Sequence, residues 1–185
     1  MSEIPEAGSE NSGQEMPVKK RPSKWRAYAI NALILVVVFG GVRIWQQRGI
    51  ASGPAPVLQG VTLAGQPYTL PVQPSQPVLV HFWATWCPIC RAEQGAIDGV
   101  AQADPNVITI AMNSGKPEEV ARYMQEQGIA FPVLNDPNGQ IAGTWGVRAV
   151  PASFIIGRDG QIRFVEVGYT TGIGLRIRLW LAGVL

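Results

Sequence analysis

Cysteine and histidine are scarce in this chain, at two and one in 185 residues. A small domain stapled by disulfides needs more cysteines than Cys87 and Cys90 supply. A tetrahedral zinc site takes four ligands, and the two cysteines with His81 make only three. An iron–sulfur cluster usually takes four cysteines. No metal site is expected. Charge is sparse too, at 15% of residues with a net +2. Residues 57–185 carry eight basic and nine acidic side chains, so no broad basic face is available for phosphates, and nucleic acid is excluded as the main partner. Hydrophobic residues make up 46% of the chain, too many for a disordered one. What is present is apolar sequence for one ordinary domain plus extras, with a single thiol pair.

Residues 1–18 are polar and rich in Glu, Ser, Gly and Pro, so the stretch 1–24 reads as a disordered tail. Five cations follow (Lys19, Lys20, Arg21, Lys24 and Arg26), then an uncharged run of 16 residues from Ala27 to Val42. As a helix that run measures about 24 Å, slightly short of a hydrocarbon core of about 30 Å. Trp25 and Tyr28 at the near interface, with Trp45 and a snorkelling Arg43 at the far one, make the span adequate. Residues 25–45 are therefore expected to be a single transmembrane anchor. A cleaved signal peptide is the alternative: its apolar core and charged leader are usually shorter, but the small residues Ala51 and Gly53 leave a cleavage site open. A buried soluble helix does not suit five crowded cations. Cations in excess before the span place the N-terminus in the cytoplasm and the remainder outside it, periplasmic or extracytoplasmic, at the inner membrane. Residues 46–56 read as a linker.

From residue 57 the pattern is that of an α/β domain. Val61–Leu63 and Tyr68–Leu70 flank a turn at Gly65–Gln66. Val78–Trp83 is apolar apart from His81, which suits a strand buried on both faces. Helices are expected from Pro88 to about Ala101, over Pro117–Gln127 and over Gln140–Trp145, with Val107–Met112 a second strand. Ser153–Ile156 and Ile162–Val167 form a hairpin around Asp159–Gly160. Thr171–Ala182 closes the domain as a helix, with Ile173, Ile177, Trp180 and Leu181 on one side. Strands alternating with helices predict a central sheet covered on both faces. Pro132 and Trp145 read as structural, and Phe82 and Trp83 as packing.

Trp86-Cys87-Pro88-Ile89-Cys90 lies where the buried strand gives way to a helix. Two cysteines in a first helical turn can close a disulfide with little backbone movement. The first sulfur then faces free N–H groups and the positive end of the helix dipole, which favour thiolate, the nucleophilic form. A lowered pKa is expected for Cys87, with Cys90 deeper and less exposed, ready to resolve a mixed disulfide. A structural disulfide and two idle core thiols are the alternatives. Covalent haem attachment requires a histidine where Arg91 stands.

The stretch Val78-Leu-Val-His-Phe-Trp-Ala-Thr-Trp-Cys-Pro-Ile-Cys-Arg91 resembles the active-site strand and turn of the thioredoxin fold. The membrane-anchored TlpA/ResA-like oxidoreductases, the cytochrome c biogenesis thioredoxins and the oxidoreductases of copper-suppressor operons are the nearest groups. A second motif, Val150-Pro151, agrees with it. The resemblance implies a thioredoxin-like mixed sheet over residues 57–185 and a cis Pro151 against the cysteines. It further implies that the Val150 backbone pairs with an extended substrate segment, beside Trp86, Pro88 and Ile89. Many thioredoxins hold a buried Asp six residues before the first cysteine, where this chain has His81. A Glu at the position of Glu93, three residues after Cys90, supports proton transfer in the TlpA/ResA-like group. Cys87, Cys90, Pro151, Glu93 and His81 are thus the expected catalytic set, with the redox-active disulfide in place of any cofactor; a satisfied core histidine and a solvated helix-surface acid are the alternatives for His81 and Glu93.

The implied activity is thiol:disulfide exchange on exported proteins, as a specific reductant recharged by a membrane electron-donor protein. A disulfide oxidase or isomerase is the enzymatic alternative, because Pro88-Ile89 replaces the Gly-Pro of thioredoxin. A noncatalytic module binding Cu(I) through its two thiolates is the other.

Overall fold

The computed structural model describes residues 24–47 and 49–184. The chain divides into two units, residues 1–43 and 44–185. In the first, helix α1 begins at Lys24 and runs to Gln47, across the boundary. Trp25, Tyr28 and the apolar side chains of Leu33–Val38 are exposed. No helix of the described residues is long and apolar enough to cross a membrane. Of the expected tail 1–24, residues 1–23 lie outside the described residues and Lys24 begins α1; the side chains of Arg43 and Trp45 also lie outside them.

The second unit opens with a two-stranded antiparallel pair, β1 (Gln59–Val61) and β2 (Pro67–Thr69). Then come β3 (Val78–Trp83), α2 (Pro88–Ala103), β4 (Val107–Met112), α3 (Pro117–Gln127), β5 (Val133–Asp136), α4 (Gln140–Thr144), β6 (Ala152–Ile156), β7 (Ile162–Val167) and α5 (Gly172–Val184). The main sheet has the order β5-β4-β3-β6-β7. β3 pairs parallel with β4 and antiparallel with β6, so the sheet is mixed. The residues expected to link the units are laid along the domain: Ala51 N–H donates to Trp145 O and Ala55 N–H to Gly160 O.

Central β3 is buried on both faces. Alternation sends Leu79 and Trp83 to one side, into a cluster with Ile97 and Val100 of α2 and Leu175 and Leu179 of α5. Val80 and Phe82 go to the other side, against Trp145 and Phe154. Each large apolar side chain so buried contributes about 1.5–3 kcal/mol. His81 shares the face of Leu79 and Trp83, and α2 therefore covers it.

Two expectations need correcting. β5 is a strand that the hydrophobic pattern hid, since four residues between Pro132 and Pro137 leave no room for a visible alternation. It sits at the sheet edge, where flanking prolines remove no central ladder bonds. In α5 the buried residues are Leu175, Leu179 and Ala182, while Ile173, Ile177 and Trp180 are exposed. That helix is apolar nearly all round, so its pattern does not select a face.

Candidate active site

The site is built at the C-terminal end of β3. Cys87 is the N-cap of α2, with extended backbone (φ −89°, ψ 111°), and Pro88 occupies the first turn, where a missing N–H costs nothing. Cys90 N–H donates to Cys87 Sγ over 3.1 Å. The two cysteines form a disulfide with their Cα atoms 5.3 Å apart. The same N–H, with the N-terminal end of a 16-residue helix, is placed to stabilise a thiolate on Cys87 after reduction. The preceding turn is braced from the loop after β4: Thr85 N–H donates to Ser114 Oγ and Trp86 Nε1–H to Asn113 O.

Pro151 follows a cis peptide bond. Cys87 Sγ lies 3.7 Å from the carbonyl oxygen of Val150, so the loop before β6 rests against the disulfide as expected. Trp86, Pro88 and Ile89 are exposed around it and Val150 is half-buried. One expectation is corrected here. Cys87 is no more exposed than Cys90, at 4% each, because in the disulfide form both sulfur residues belong to the cluster under α2.

Glu93 and His81 meet beneath this disulfide. Glu93 is 1% exposed and His81 2%. His81 Nε2 stands 3.5 Å from Glu93 Oε1. The other carboxyl oxygen, Oε2, accepts Thr170 N–H at 2.8 Å. Oε1 has no hydrogen-bond partner among the described residues. A buried oxygen in that condition is a place where a proton can be taken up.

Burial sets the protonation of this pair. Desolvation pushes Glu93 up from 4.5 to about 7, against the lowering effect of Thr170 N–H. It pulls His81 down from 6.5 to about 3. At neutral pH His81 is neutral and Glu93 is near its midpoint. The raised Glu93 adds stability as pH falls through 7 toward 4.5, because the folded state then holds a proton the unfolded chain has not taken up. The lowered His81 removes stability as pH falls through 6.5, because only the unfolded chain then takes up a proton. Over the range where both act, between about pH 6.5 and pH 4.5, the two effects oppose each other. Denaturant titrations of the wild type and of each single variant separate them. Glu93→Gln should lose stability on acidification and His81→Asn should gain it. Parallel profiles in all three would show that neither group is held away from its ordinary pKa.

Three residues of the site were not foreseen. Ser153 Oγ lies 2.9 Å from His81 Nδ1. A lone hydroxyl in the otherwise apolar run Ala152–Ile156 was the available signal. Thr170 holds Glu93 through its backbone, which no side-chain pattern announces. Exposed Tyr169 sits between Thr170 and Gly168, whose N–H donates to Pro151 O at 2.9 Å, so its backbone is tied to the cis-proline loop.

Residues 52–165 match the AhpC/TSA family. Over 165 residues the chain is 30% identical to the thiol:disulfide interchange protein CycY of Rhizobium leguminosarum bv. viciae, covering 78% of this chain and 88% of that one. A thioredoxin-like protein of Haemophilus influenzae is 32% identical over 108 residues, which are 58% of this chain and 64% of the relative. The crystal structure of a thiol:disulfide interchange protein from Chlorobium tepidum superposes with a TM-score of 0.61 at 29% identity, over 71% of this chain and 97% of that one.

Proposed function

Since the chain belongs to the AhpC/TSA family, among its thioredoxin-fold thiol:disulfide oxidoreductases, we propose that it is a membrane-anchored reductant of exported thiol proteins. The observation that carries the chemistry is the Cys87–Cys90 disulfide at the start of α2, with Val150 O 3.7 Å from the attacking sulfur and cis-Pro151 beside it. An extended partner segment adds to the Val150 edge as a strand. Trp86, Pro88, Ile89 and Tyr169 form an apolar rim around its cysteine. The Cys87 thiolate attacks the partner disulfide, and Cys90 then displaces the partner thiol, its proton taken by Glu93 with His81 behind it.

The anchor is α1. Its uncharged run of 16 residues, with five cations before it and two after, supports an inner-membrane span with the N-terminus cytoplasmic and the catalytic domain periplasmic. An exported domain has no cytoplasmic reductase at hand, so a membrane electron-donor protein would recharge the disulfide. The relative named thiol:disulfide interchange protein CycY supports the exchange chemistry.

Two measurements test this. Trypsin added to intact spheroplasts should digest the domain, and digestion only after lysis would reverse the orientation. The reduced full-length protein in detergent should reduce insulin, with a potential nearer the roughly −270 mV of thioredoxin than the roughly −120 mV of DsbA. A value near the latter would make it an oxidase.

A further inference from the structure

Ser153 stands opposite His81 in the β3–β6 pairing and is itself buried. Its hydroxyl is 2.9 Å from His81 Nδ1, while His81 Nε2 is 3.5 Å from the unpartnered Glu93 Oε1. The other groups around this row are engaged elsewhere. Thr109 of β4, on the far side of His81, accepts Trp83 Nε1–H and donates to Pro132 O. Glu166 of β7, opposite Ser153, pairs with Arg178 of α5. Thr170 contributes only its backbone N–H, to Glu93 Oε2. Cys90 stands one turn before Glu93 on α2.

We infer that Ser153 is a positioning residue that lets Glu93 change its protonation inside the protein, by serving His81 in both of its neutral tautomers. The inference rests on the exchange chemistry proposed above. A neutral imidazole has one N–H and one lone pair. When Glu93 is ionised, the proton of His81 sits on Nε2, facing Oε1 across 3.5 Å, and Nδ1 accepts the Ser153 O–H. When Glu93 is protonated, its O–H faces the Nε2 lone pair across the same gap, and Nδ1–H donates to Ser153 Oγ. A hydroxyl can do both by rotating, whereas an alanine can do neither. Burial, which brings Glu93 near its midpoint at neutral pH, makes both states matter during turnover.

The step served is resolution of the mixed disulfide. Cys90 gives its proton to Glu93 and attacks Cys87 Sγ. The Cys87–Cys90 bond forms and the bond from Cys87 to the partner sulfur breaks. The partner leaves as a thiolate and takes a proton from water, and the two electrons have passed from the dithiol to the partner.

Ellman's reagent reads the two steps separately on reduced full-length protein, one thionitrobenzoate for the attack by Cys87 and a second for resolution by Cys90. Ser153→Ala is expected to move the pH midpoint of the second release by about half a unit or more, since the two tautomers lose different hydrogen bonds. Ser153→Thr, which keeps the hydroxyl, should restore it. In a His81→Leu background, Ser153→Ala should move nothing further. A midpoint that depends on the protonation of one group is insensitive to the fraction folded, so instability of a variant does not mask the result. An unmoved midpoint in Ser153→Ala, or an equal shift without His81, overturns the inference. Absence of any second release in the wild type overturns the exchange mechanism instead.

Discussion

Replacing Cys87 with Ser is expected to abolish exchange, lowering the rate of insulin reduction by on the order of 10³ or more. The structure explains why one sulfur carries this weight. Cys87 is the residue that caps α2, accepts Cys90 N–H and faces Val150 O. A hydroxyl in its place neither ionises near neutrality nor forms a mixed disulfide. Cys90→Ser should differ in kind. The first attack on Ellman's reagent survives and the second release disappears. Equal losses of the first release in both variants would mean that neither cysteine is specialised.

Glu93→Gln is expected to slow resolution by about tenfold to a hundredfold and to change its pH dependence. The sign follows from the direction of the shift. A carboxyl raised to about 7 is a stronger base than an ordinary carboxylate, but only while ionised. In the wild type the second thionitrobenzoate release should therefore rise through about pH 7 and level off. In Glu93→Gln only the weakly basic His81 remains, and the rate should keep rising toward the ordinary thiol range near 8.5. A wild-type profile retained by the variant would remove Glu93 from the proton path.

These two effects were unequally visible in the sequence. The run into Trp86-Cys87-Pro88-Ile89-Cys90, apolar apart from His81 and Thr85, sufficed to place the sulfurs at a strand–helix junction, because Pro88 can start a helix and Val78–Trp83 suits a strand buried on both faces. Pro151 was legible through the family resemblance. The spacing of Glu93 from Cys90 gave a shared helix face but not depth. That α2 turns this face onto the sheet, and so buries a carboxyl, depends on packing against β3 and α5. The partner of His81 needed the antiparallel register of β6, which brings residues 72 positions apart to one rung. The face of α5 was unreadable because apolar residues surround it, and β5 because four residues carry too little pattern.

The central claim is that Cys87 makes the bond to the partner and Cys90 breaks it. Full-length Cys90→Ser expressed in cells, alkylated and separated without reductant, should accumulate partner proteins joined through Cys87, identified by mass spectrometry of the linked peptides. Adducts on Cys90 in Cys87→Ser at comparable yield, or none in Cys90→Ser, would contradict it.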